Sequence, residues 1–142
     1  MYKNAYLHNI TTHLEKLLLF KQVFNEYIQT CQKIVNGNCL ASENINNLHQ
    51  YFMRNLVRFL PFVNEFKSIP VPAEYSNLHG ELAENVDQYA SAITGIMNSM
   101  HDGELNQREF LSNVSVQNNA LAQLDSYFID RLRITNGEIM GV

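Results

Sequence analysis

Between Tyr6 and Val35, Leu7, Ile10, Leu14, Leu17, Phe24, Ile28, Cys31 and Val35 follow a three-and-four spacing that repeats every seven residues. Only Lys21 interrupts the row. A second row, Tyr6, His13, Phe20, Tyr27 and Ile34, runs beside it at seven-residue intervals. The two rows make an apolar stripe wider than a two-stranded zipper seam, as on a helix that faces a bundle core. Thirty residues of helix span about 45 Å at about 1.5 Å per residue. Such a helix is marginal alone, so partners of matching length must cover its stripe.

The rest of the chain supplies three. Asn36-Gly37 stops the first helix, since Gly accepts the left-handed conformation that ends one. Ser42 is the expected N-cap of the second, with Glu43 in its first turn. There Ile45, Leu48, Phe52, Leu56, Phe59, Val63 and Phe66 form one stripe, with Phe62 on its flank. Met53, Val57 and Leu60 form another, and the combined apolar arc covers roughly 220° at about 100° per residue. One packing face needs little more than about 100°. Pro61 falls inside this helix and predicts a kink or break near Leu60.

Pro70-Val-Pro72 divides the chain into two hairpins, and Pro72 suits the first turn of a third helix, with Glu74 beside it. That helix carries Tyr75, Leu78, Leu82, Val86, Tyr89, Ile93, Ile96 and Met100. Ala83, Ala90, Ala92 and Gly95 lie among them and would admit a close neighbour. His101-Asp-Gly103 is a turn. Asn106 with Glu109 matches a capping box for the fourth helix, where Val114, Leu121 and Phe128 keep a seven-residue row and Asn118 and Asp125 interrupt it. Asn136-Gly137 is its stop. The expectation is a single all-α domain over 1–142, an antiparallel up-down-up-down four-helix bundle. Its helices fall at about 3–35, 43–68 (kinked at Pro61), 72–101 and 106–135.

The stretch Pro72-Ala-Glu-Tyr-Ser-Asn-Leu-His79, followed by an amphipathic helix and the Asp102-Gly103 turn, resembles small helical-bundle proteins of Gram-positive bacteria. The resemblance implies a bundle fold and carries no functional residues across.

A formal charge of −4 with only ten Lys and Arg argues against recognition of nucleic acid through its phosphates. No run of apolar residues approaches a membrane span, and the N-terminus lacks the apolar core of a signal peptide. Cys31 on the core stripe and Cys39 in a loop fit a reducing compartment, so a cytoplasmic location is expected. The two Asn-x-Ser/Thr triplets, at Asn9 and Asn113, fall inside expected helices.

Catalytic motifs are few and weak. No Glu-x-x-His occurs, which a carboxylate-bridged metal pair in a bundle requires. Nucleophile elbows, Gly-rich phosphate loops and His-Glu-x-x-His are also absent from the sequence. His13-Leu-Glu-Lys16 is similar to the His-x-x-Lys core of histidine phosphotransfer modules, which are also four-helix bundles. Leu17 stands where that family expects a small residue, and His13 borders the core row. Cys31 on a core stripe reads as a packed thiol, and Lys21 as a lysine whose head reaches solvent.

Antiparallel order would gather aromatics at one end of the bundle. Tyr6, His8, Phe59, Phe62, Phe66, Tyr75 and His79, beside Pro61, make either a filled core end or a candidate ligand or partner patch. Met53, Val57 and Leu60 make a candidate dimer face. The reading is therefore a non-enzymatic interaction protein without a cofactor, an adaptor or homodimer whose partner is itself or another helical protein. A small-ligand binder or sensor is the second reading, and a phosphotransfer-like module the third.

Overall fold

The computed structural model describes residues 2–37 and 44–127. Four helices account for nearly all of them: α1 Tyr2–Val35, α2 Ile45–Lys67, α3 Ser76–Asn98 and α4 Gln107–Tyr127. Consecutive helices pack side by side, α1 on α2, α2 on α3 and α3 on α4. The order is the up-down-up-down bundle that short connections impose.

The stripes of α1 and α2 are the core. Ile10, Phe24, Cys31, Phe52, Phe59 and Phe66 are fully enclosed, opposite Leu82, Val86, Tyr89, Ile93 and Ile96 of α3. Phe110, Ala120 and Leu124 close the bundle from α4, with Val114 and Leu121 half-buried beside them. Phe128, the third member of that row, lies outside the described residues, as do Ser42, Glu43, Cys39 and Asn136-Gly137.

Several boundaries differ from expectation, each for a local reason. Asn44 rather than Ser42 caps α2, its side chain accepting from Asn47 N at 2.9 Å. Both residue types cap well, so composition alone does not choose between them. Pro61 does not break α2, which runs unbroken to Lys67. The proline removes one donor, and both Pro61 and Val57, whose carbonyl loses its partner, are exposed. The missing bond falls on the solvent side of the helix, and α2 stays helical through the point near Leu60 where a kink or break is expected. After Pro72 the chain makes a short 3-10 turn, Ala73–Tyr75, and α3 begins only at Ser76.

At its other end α3 stops at Asn98 rather than 101. Met100–His101 (β1) pairs antiparallel with Glu104–Leu105 (β2), and Asp102 and Gly103 between them both have positive φ, 51° and 80°. Two successive left-handed residues make a type I′ hairpin turn, which Asp-Gly favours. Asn106 then caps α4 through its side chain, accepting from Glu109 N at 3.1 Å. Its own N–H donates to Ser99 O at 2.7 Å, the place a reciprocal capping-box bond would take.

The α1 stop is as expected: Gly37 has φ +74° and its N–H bonds back to Ile34 O. Gly95 is the close-approach residue, because a β-carbon there would overlap the Asn113 side chain on α4. Among the described residues no helix is long and apolar enough to cross a membrane.

Candidate functional site

Two regions stand out. The first is an internal aromatic ladder. Tyr75 stacks on Tyr6 with ring centres 5.1 Å apart, and Tyr6 meets His79 edge-on at 5.7 Å. His79 lies flat on Phe66, 5.4 Å away. Phe66, Phe62 and Phe59 continue the ladder, then Phe24 and Phe52, and Tyr27 against Tyr51. The candidate patch is thus brought together, except for His8, which is exposed on α1. The ladder continues past that patch along the α1–α2 interface, because the Tyr6, His13, Phe20, Tyr27 row and the Phe52, Phe59, Phe66 row each place a ring every seven residues.

Within the ladder, Tyr6 Oη and His79 Nδ1 are 3.0 Å apart. His79 Nε2 is buried and makes no hydrogen bond of ordinary geometry. The Phe66 backbone carbonyl favours the protonated ring. A tautomer protonated at Nε2, with the Tyr6 hydroxyl donating to Nδ1, fits both neighbours. Burial drives the His79 pKa below its ordinary value, the Phe66 carbonyl works against that shift, and His13 adds to it. The Tyr6 hydroxyl titrates far above the usual tyrosine value, first through burial and then through Tyr75.

His13 Nδ1–H donates to Asn9 O at 2.9 Å, and its ring stacks on Phe62. The ring is half-buried, with Phe66 edge-on at 6.2 Å. Cys31 is enclosed, and burial pushes its thiol up to about 12. Tyr89 holds a buried hydroxyl with no hydrogen-bond partner. Among the described residues no three of His, Cys, Asp and Glu converge as a metal site would require.

The second region is the outer face of α2. Met53, Val57 and Leu60 are 47%, 68% and 43% exposed. They stand at spacings of four and three, one above another on successive turns. Arg54 and Arg58 flank them, Arg54 over the Tyr51 ring at 5.4 Å. Beside Leu60 a groove of about 550 Å³ opens between α2 and α3, with Asn64 on one wall and Ser91, Thr94 and Asn98 on the other. Lys67 Nζ spans the groove to Asp87, 3.1 Å away. On the opposite side of the bundle a small apolar hollow of about 50 Å³ separates α1 from α4. Half-buried Lys21 lines it together with Leu14, Leu17, Leu18, Leu121 and Leu124 and the carboxylates Glu15 and Asp125.

Neither family models, nor curated proteins, nor solved structures give a match to this chain.

Sequence reasoning anticipated the exposed apolar row on α2 and six of the residues that meet in the aromatic ladder, but not its extension through Phe24, Phe52, Tyr27 and Tyr51. It missed the α2–α3 groove and the pairing of Tyr6 with His79. The groove follows from small side chains on α3, among them Ala90, Ser91 and Gly95, the one available signal.

Proposed function

We propose that this chain is a non-enzymatic interaction protein that associates through the outer face of α2, with a second copy of itself as the partner. One observation carries the reading: a row of three large apolar side chains open to solvent on a helix whose other face is already packed. A helix in a monomeric bundle buries its apolar arc against its neighbours, and contiguous exposed apolar surface marks an association site. A symmetric pair needs only one self-complementary patch to cover it.

The small-ligand reading has less support. Six of its seven candidate residues fill one another's space within the ladder, and a ligand would have to displace them. The phosphotransfer reading has less support as well, since Leu17 stands where that family expects a small residue.

Light scattering at micromolar concentration tests the proposal. The wild type should have the mass of a dimer, and Val57→Glu should shift it towards monomer while circular dichroism stays helical. A strictly monomeric wild type removes the self-association reading. A Val57→Glu chain that unfolds makes Val57 part of the core and removes the reading of α2's outer face.

A further inference from the structure

Resting on that reading, we infer that the second copy lies across the α2–α3 groove, so that α2 of each copy meets α3 of the other. The two helices differ in charge. α2 carries Arg54, Arg58 and Lys67 against Glu65 alone, whereas α3 carries Glu81, Glu84 and Asp87 with no Lys or Arg. The imbalance extends to the halves of the chain. Residues 1–67 hold seven Lys and Arg against four Asp and Glu, and residues 68–142 hold three against ten. Contact between two α2 helices would bring Arg54 and Arg58 near their own copies, and like charges oppose such docking. Contact of α2 with α3 keeps Arg54 and Arg58 away from their own copies and sets Lys67 against Asp87, with Glu84 one turn further along α3.

Shape agrees with charge. On α2 the large groups project: Met53, Val57 and Leu60. On α3 the groove wall is low, formed by Ser91, Gly95 and Asn98. A twofold axis running along the groove preserves height along it, so the projecting row of each copy lies over the low wall of the other, with Leu60 level with Ser91 and Thr94. The contact is isologous and closes after two copies.

The Lys67–Asp87 pair gains a role from this geometry. It bridges the groove with both side chains roughly half exposed, and an exposed pair of that kind contributes little to a single chain. Across the twofold axis, two such pairs meet crosswise, Lys67 of one copy facing Asp87 of the other. Four alternating charges then fix the register of the dimer.

Charge exchange at this pair tests the arrangement by sedimentation velocity. Lys67→Asp gives four clustered carboxylates in its own dimer, and Asp87→Lys gives four amines. Each should weaken self-association at least tenfold. An equimolar mixture of the two variants should form a mixed dimer, and the double variant Lys67→Asp/Asp87→Lys should recover self-association. Ser91→Trp, an exposed change on the α3 wall, tests the same contact without touching the charges and should also abolish the dimer. A wild-type dimer that is lost in Val57→Glu but indifferent to all of these variants overturns the α2–α3 arrangement and leaves the α2 face standing. A monomeric wild type overturns both.

Discussion

Tyr6 on α1 and His79 on α3 are 73 residues apart in sequence and joined by a buried 3.0 Å hydrogen bond. The bond ties the start of α1 to the start of α3 across the aromatic ladder, with Tyr75 and Phe66 packed on either side. Because His79 Nε2 has no well-formed partner, an added charge on this ring would be poorly compensated.

Stability should therefore fall on acidification through the histidine range. The folded pKa of His79 lies below its unfolded value, so between the two the unfolded chain binds more protons. The contribution is complete above about pH 6.5 and is lost as pH drops through the folded value. Urea unfolding midpoints should decrease from pH 7 to pH 5, and His79→Gln should flatten that decrease. An identical slope in the variant would place the acid sensitivity elsewhere.

The α3–α4 pair depends on Gly95. A methyl group there meets the Asn113 side chain, and overpacking of this kind costs about 1–3 kcal/mol. Gly95→Ala should destabilise the fold, and Asn113→Ala should relieve much of that loss in the double variant. Chemical denaturation of the four-member mutant cycle reads the coupling. Simple additivity would mean that Asn113 moves aside freely.

Core and outer residues of α2 should respond differently to truncation. Phe59→Ala removes a fully enclosed ring and should cost about 3–5 kcal/mol. Val57→Ala, at an exposed position, should change the stability of the dissociated chain by no more than about 0.5 kcal/mol. Thermal and urea unfolding at low protein concentration separate the two.

Cys31 should be inert in the native state. Its enclosed thiol titrates near about 12, and the thiolate is the reactive form. In a Cys39→Ser background, a thiol-reactive dye at pH 8 should label the chain only after denaturant is added. Rapid native labelling would show that the α1 stripe opens.

The long helices were legible because their apolar rows keep one period for about six turns or more, and a period survives local irregularity. Gly37 and the Asn106 cap were legible for a different reason, since each satisfies a backbone requirement that few residue types meet. Asn44 was not, because two good caps stand within three residues of each other. Asp102-Gly103 announced a turn, but two-residue strands are too short to show alternation. The Tyr6–His79 bond joins distant segments, and no pattern along one helix encodes it. The exposure of Val57 was legible as an arc too wide for one packing face. The groove beside it was not legible, because it depends on the small residues of α3 and on how closely that helix approaches.

The central claim is that the outer face of α2 becomes covered when two copies meet. Hydroxyl-radical footprinting of Met53, normalised to exposed Leu19 on α1, measures this at increasing protein concentration. The account predicts that Met53 labels readily in dilute solution and becomes protected over the concentration range in which light scattering reports the dimer. Met53 labelling that stays constant across that range would contradict it.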